Sequence, residues 1–325
     1  MRKRELVIVG GGPAGLAAAI AAREHGVRDV LILERDQFLG GILNQCIHTG
    51  FGINYFGEAL TGPEYAGRFI GKVAADPAIE VSLRSFAVRL AADRCLSYIR
   101  PGVMETIEAR AVIMATGCRE RTREMVHIAG TRPAGIFPAG LAQKLINIEG
   151  YLPGKTVVIV GSGDIGLIMA RRFTLEGARV QAVIEIQPET RGLVRNVTQC
   201  LDDFGIPLML RHRIARINGA DRVESVEVVA VDDDLRDIAG SESRIACDTV
   251  LVSVGLIPEN ELIEMAGACL DPATNTPVAD EVNRTSLPGI FTCGNACKVY
   301  DIVDRVTEES YHCGIMAADF IRKKQ

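Results

Sequence analysis

The sequence predicts an α/β protein built from two Rossmann-like nucleotide-binding units, and three observations carry that expectation. Gly10-Gly11-Gly12-Pro13-Ala14-Gly15 places G-x-G-x-x-G directly after the apolar run Leu6–Val9 and before the alanine-rich stretch Leu16–His25. Gly161-Ser162-Gly163-Asp164-Ile165-Gly166 repeats the pattern within Lys155–Glu185. Glutamates Glu34 and Glu185 each stand 24 positions after the first glycine of their own fingerprint. A lone glycine fingerprint also occurs as an ordinary turn. Strand, helix, second strand and acidic end in the same order, twice, make a dinucleotide-binding reading.

Each fingerprint residue has a physical task. Gly10 and Gly161 permit the tight turn, Gly12 and Gly163 let a pyrophosphate approach the backbone, and Gly15 and Gly166 let helix pack on strand. The helix N-terminus offers unpaired N–H groups and its positive dipole end to phosphate. Glu34 and Glu185 accept from ribose hydroxyls. A carboxylate at Glu185 repels a 2′-phosphate, which favours NADH. Arg191, beyond Ile186-Gln187-Pro188-Glu189, is the residue that would accommodate NADPH instead.

The chain has 325 residues, room for two domains with a sizeable core, at 48% hydrophobic and 24% charged residues. A net charge of −5 points away from nucleic acid and anionic membrane surfaces. No apolar run approaches the ~18 residues of a membrane span, and Met1–Val9 is too short and too soon broken by glycine to be a signal peptide. Nine scattered cysteines, with no C-x-x-C, read as reduced thiols in a cytoplasmic protein.

In chain order, Gly40-Gly41 allows close passage to a flat cofactor. A helix is expected from Thr61-Gly62-Pro63-Glu64 to about Ala75. Short β-like pieces, Glu80–Leu83, Phe86–Leu90, Leu96–Ile99 and Thr106–Glu108, read as a small β-meander. Ala111–Ala115 follows as a strand ending in Thr116-Gly117-Cys118. Val226–Val231 and Arg244–Val252 flank the acidic turn Asp232-Asp233-Asp234, and a last helix is expected over Thr307–Ile321.

These pieces, together with Val254–Asn260 (VGLIPEN) and Gly289–Asn295 (GIFTCGN), resemble the two-dinucleotide-binding-domain flavoproteins of the pyridine nucleotide-disulfide oxidoreductase superfamily, thioredoxin reductases among them. The resemblance implies an FAD domain over 1–118 and 256–325, with an NAD(P) domain, 119–255, inserted in it. Near Cys118–Thr122 and Ser253–Ile257, the two connections would act as a hinge. Transferred by motif, the FAD contacts are Gly10, Gly12, Pro13, Ala14, Gly15, Glu34 and Arg35, then Gly40, Gly41, Ile42 and Val88. Ala115, Thr116, Gly117, Gly294, Asn295, Asp304, Arg305 and Val306 complete that set. Those to NAD are Gly161, Gly163, Asp164, Ile165, Gly166, Glu185 and Gly255.

Two departures matter. Arg132–Gly140, where thioredoxin reductases carry C-x-x-C, has no cysteine, so reduction of thioredoxin is not expected. Asn295 stands where the family has Asp, and accepts through its amide oxygen. Gly41–Gly52 (GILNQCIHTGFG), Ala115–Arg123 (ATGCRERTR) and Tyr300–Ser310 also resemble FAD/NAD subunits of the opine oxidase and hydrogen cyanide synthase type. That implies electron transfer between NADH, flavin and an acceptor or partner dehydrogenase subunit, or alternatively a non-catalytic relay subunit. Relatives are often homodimers. Cys46 and His48 are the candidate redox thiol and proton relay, against the alternative of a buried inert thiol and a hydrogen-bonded histidine. A peroxide or oxygen reductase using Cys46 is a third reading. No metal site is read from Cys293 and Cys297, since two ligands do not complete one.

Overall fold

The computed structural model describes residues 2–323. The chain divides into two compact units, Met1–Arg119 with Ile257–Gln325, and Glu120–Leu256.

The first unit is organised by β1 (Arg2–Val9), α1 (Pro13–Glu24) and β2 (Val30–Leu33). Leu6–Val9 and all of β2 are buried, as expected of parallel strands covered on both faces. Helix α1 starts at Pro13, earlier than Leu16. Proline's fixed φ suits the first helical turn, and its missing N–H costs nothing there. Helix α2 (Gly62–Ala75) starts where the sequence indicates, on a capping box in which Thr61 and Glu64 bond each other reciprocally.

After α2 come β3 (Ile79–Ser82), β4 (Phe86–Leu90), β5 (Cys95–Arg100) and β6 (Val103–Met114). The sheet order is β3-β2-β1-β6-β5-β4, and the strand Ile290–Thr292 also pairs with β6. Two expectations change here. The piece read as Glu80–Leu83 is not in the meander, because β3 runs parallel beside β2. Thr106–Glu108 and Ala111–Ala115 are one strand of 12 residues. It pairs antiparallel with β5 over Val103–Glu108 and parallel with β1 from Ile107 to Met114, and only Ala111–Met114 is buried without interruption. The hydrophobic pattern changes midway although the strand does not.

The last helix, Val303–Lys323, begins four residues before the expected Thr307, with Asp304 in its first turn, where the helix dipole favours an acid. It lies against α1 so closely that a Cβ on Gly314 would collide with the Ala18 carbonyl oxygen. Alanines from Ala17 to Ala19, Ala21 and Ala22, all buried, leave room for that approach.

In the second unit, β7 (Ile136–Pro138), α3 (Ala139–Asn147), β8 (Thr156–Val160), α4 (Asp164–Leu175), β9 (Arg179–Glu185), α5 (Val194–Cys200) and β10 (Leu208–Leu210) precede three further strands. These are β11 (His212–Asn218), β12 (Ser225–Ala230) and β13 (Ser243–Ala246), before β14 (Thr249–Val252). A five-stranded sheet of order β7-β14-β8-β9-β10 is parallel throughout. A second sheet holds β11, β12 and β13, antiparallel to one another. The expected strand Arg244–Val252 is therefore two strands in two sheets, broken at Cys247-Asp248. Between β12 and β13 the acidic turn is as expected, with Asp232 Oδ1 accepting from the N–H groups of Asp234 and Arg236.

Two substitutions test this packing. Gly314→Val drives a branched side chain into the α1 backbone and lowers unfolding free energy by about 3 kcal/mol. Thr61→Ala removes one cap of α2 and costs about 1 kcal/mol. Urea unfolding followed by far-ultraviolet circular dichroism measures both.

Candidate dinucleotide sites

Both fingerprints lie at the C-terminal ends of parallel strands where the connections diverge to either side. In an open α/β sheet that crevice is the ligand site. Each is held by the same set of close backbone approaches. Gly10 has φ +110° and Gly161 has φ +96°. A Cβ on Gly10 would collide with the Ala115 carbonyl, and one on Gly161 with the Ser253 carbonyl. A Cβ on Gly15 or Gly166 would meet the carbonyl oxygen of Gly10 or Gly161. The middle glycines face space instead: Gly12 has only the Gly41 Cα nearby, at 3.8 Å, and Gly163 has nothing within 4 Å. A backbone that is packed on one side and open on the other suits a pyrophosphate.

In the first unit several of the sequence-assigned residues are brought together. Gly40 donates its N–H to the Gly11 carbonyl (2.8 Å), which lays Gly40-Gly41 over the fingerprint. Gly294 abuts Ala14 at the start of α1. Ala115 N–H donates to Val9 O (2.9 Å), and Thr116 Oγ1 donates to the Glu259 carbonyl (2.7 Å). Glu34, 5% exposed, accepts from Gly11 N–H at Oε2 and from Asp36 N–H at Oε1, both 2.8 Å. One lone pair on each oxygen is left for a ribose diol. Arg35 and Ile42 are exposed, and Val88 is half-buried at an irregularity of β4.

Asn295 and Asp304 have work inside the protein. Asn295 Oδ1 accepts from Tyr300 N–H (3.1 Å), which leaves that oxygen one further acceptor position. Asp304 is 1% exposed, and its carboxylate accepts from Gly52 (3.0 Å), Asn54 (2.8 Å) and Tyr55 (3.3 Å) N–H groups. It anchors the glycine-rich loop to the last helix. Arg305 is exposed and Val306 buried.

Cys46 has the surroundings of a packing residue. It is 5% exposed, its Sγ donates to the Ile42 carbonyl (3.3 Å), and burial pushes its thiol up to about 12. Burial of that kind favours the inert-thiol reading of Cys46 over the redox one. His48 is half-buried with its ring against Phe51, centroids 5.0 Å apart.

In the second unit Glu185, also 5% exposed, accepts from Ser162 and Gln187 N–H groups, each at 2.9 Å. Asp164 Oδ1 turns to the neighbouring loop, accepting from Leu193 N–H (2.8 Å) and Asn196 Nδ2 (2.7 Å). Ile165 is half-buried, Gly255 is exposed with φ +104°, and Arg191 is exposed. A cavity of about 270 Å³ opens near the C-terminal ends of β7 and β14, lined by Arg123, Glu124, Arg132, Phe137 and Val252 among others. It includes part of the stretch that lacks C-x-x-C. Just beyond, the N-terminus of α3 is closed by Glu120, which accepts from Gly140 (2.7 Å) and Leu141 (3.1 Å) N–H groups. Burial raises the Glu120 carboxyl above its usual range despite those donors.

Sequence reading missed Ser162, Glu120 and Glu309. Glu309 Oε2 accepts from Gly294 N–H (2.8 Å), and its Oε1 from Asn283 Nδ2. Ser162 lies inside the second fingerprint, but no spacing marks the role of any of the three, since their partners lie 15 to 29 residues away. Among the described residues no helix is long and apolar enough to cross a membrane.

Known proteins share this arrangement. The chain is 30% identical to a dihydrolipoyl dehydrogenase of Pseudomonas aeruginosa, over 99% of this chain and 72% of that one. It is 29% identical to the HcnB subunit of the hydrogen cyanide synthase of Pseudomonas protegens, over 80% of this chain and 58% of that one. Identity to one subunit of the opine oxidase of Rhizobium meliloti is 26%, over 90% and 58%. The chain thus spans less than two thirds of those two subunits. The thioredoxin reductase structure from T. acidophilum superposes with a TM-score of 0.77 at 23% identity, covering 98% of this chain and 99% of that one. The model of the pyridine nucleotide-disulphide oxidoreductases matches residues 4–318. With two glycine fingerprints in two Rossmann-like units, the chain belongs to the pyridine nucleotide-disulphide oxidoreductase family, flavoproteins that exchange electrons with NAD(P)H.

Proposed function

We propose that the protein is an FAD-dependent NADH oxidoreductase that delivers electrons to an acceptor other than a cysteine pair of its own. In this reading the unit Met1–Arg119 with Ile257–Gln325 holds FAD, and Glu120–Leu256 holds NADH. The observation that carries it is the pair of buried carboxylates, Glu34 and Glu185. Each ends the second strand of its fingerprint and is bonded by the fingerprint's own backbone.

The flavin, when bound, supplies the hydride-accepting ring. What this chain contributes is binding and alignment. Gly12 and Gly41 give the pyrophosphate an unobstructed backbone, α1 directs its N–H groups there, and Glu34 retains acceptor capacity for ribose. At the second site α4 and Gly163 play the same parts, and Glu185 disfavours a 2′-phosphate. Absence of a cysteine over Arg132–Gly140 argues against disulfide exchange by this chain.

A second reading is a relay subunit within a larger dehydrogenase. It is favoured by the relatives named as subunits, those of hydrogen cyanide synthase and opine oxidase. A third reading, a peroxide reductase through Cys46, conflicts with a thiol pushed up to about 12.

Anaerobic titration of the yellow protein separates the first two. Full bleaching of the flavin band by one equivalent of NADH, with NADPH at least about tenfold less effective, supports the oxidoreductase. Flavin that neither nucleotide reduces supports the relay subunit. Cys46→Ala leaves the rate of flavin reduction within about twofold in stopped-flow, since it removes no reacting group. A loss beyond about a hundredfold would restore Cys46 to the reaction.

A further inference from the structure

We propose that Ser162 is a positioning residue that sets the choice between NADH and NADPH, because its hydroxyl ties Glu185 to the loop that carries Arg191. The proposal rests on the reading of the second fingerprint as the nicotinamide-nucleotide site.

The two fingerprints serve as each other's control. In the first, Gly11 N–H donates to Glu34 Oε2 (2.8 Å), and the Gly11 carbonyl accepts from Gly40 N–H (2.8 Å). In the second, Ser162 N–H donates to Glu185 Oε2 (2.9 Å), and the Ser162 carbonyl accepts from Gly192 N–H (2.9 Å). The residue two beyond each glutamate, Asp36 or Gln187, donates its N–H to Oε1. Bond for bond the frameworks agree. What the second site adds at this position is a hydroxyl in a fully buried place, 0% exposed.

That hydroxyl makes two bonds. It donates to Glu185 Oε2 (2.7 Å) and accepts from Arg191 N–H (3.1 Å). The first gives Oε2 two donors and leaves Oε1, with a single donor, the freer acceptor for ribose. The second pins the backbone of Arg191. These are the two groups with opposite preferences for a 2′-phosphate, the carboxylate repelling it and the guanidinium attracting it. One buried oxygen bonds the carboxylate and the backbone that carries the guanidinium. Asp164 holds the same loop farther along, at Leu193 and Asn196, so the segment stays folded while its Arg191 end is released.

Removing the hydroxyl therefore costs NAD more than NADP. The test is calorimetric binding of NAD⁺ and of NADP⁺ to the oxidised, flavin-loaded protein, for wild type, Ser162→Ala and Ser162→Gly. Binding of the oxidised nucleotides needs no turnover. Ser162→Gly installs the residue that the first fingerprint already uses, so it keeps the backbone bonds. In both variants the ratio of dissociation constants, NADP⁺ over NAD⁺, falls about tenfold, the size of one hydrogen bond to a charged group. A role confined to packing would weaken both nucleotides equally, and an unchanged ratio in both variants overturns the proposal. Wild-type protein that binds neither nucleotide, or prefers NADP⁺, overturns instead the reading of the site on which it rests.

Discussion

The structure depends on bringing two pieces of backbone into contact at the end of a buried parallel strand, and it meets that constraint twice. Strand, turn and helix can close over one another only where no Cβ intervenes. Gly10 and Gly15 provide this in the first unit, and Gly161 and Gly166 in the second. Once the turn is closed, the helix N-terminus lies beside the strand end. The second strand then brings its terminal glutamate under the turn, where a fingerprint N–H binds it. Burying an ionised carboxylate is costly unless it is hydrogen-bonded. Glu34 and Glu185 are bonded on both oxygens before any ligand arrives, and so are pre-aligned for it.

The same bonds explain how distant segments join the first site. Gly40-Gly41 is laid on the fingerprint by a bond to Gly11, and Gly294 is pressed on Ala14. Asp304 reaches back 250 residues to bind Asn54 N–H. Glu309, one turn farther along the helix, binds Gly294 N–H. Thus the last helix orders two loops of the first unit through two carboxylates. Asp304 and Glu309 act on the first site through those loops.

Much of this was legible in the sequence, and the reasons are physical. A glycine fingerprint is a local device with fixed spacing, so both copies could be found, as could their glutamates. The capping box of α2 is equally local. Legibility failed where partners decide. Strand β6 changes neighbours halfway and so changes its burial period, which made one strand look like two. Thr249–Val252 and Ser243–Ala246 looked like one strand because only tertiary pairing sends them to different sheets. Sequence left two readings open for Cys46, redox or inert, because a thiol's reactivity is set by surroundings that no spacing reveals.

The two sites also show how one scaffold is specialised. A fold of this kind does not fix function, which resides in the groups grafted onto it. The first site keeps glycine at position 11, where any Cβ would meet Leu39 and the Glu34 side chain. The second site carries serine at the equivalent position 162, with its hydroxyl bonded to Glu185. A resident cofactor that stays bound is served by tight closure around it. A nucleotide that must bind and leave at each turnover is better served by a site already rigid before it arrives, since ordering done in advance is not charged against affinity. Ser162, fully buried and bonded to strand end and loop alike, supplies that rigidity where the first site relies on close packing around Gly11.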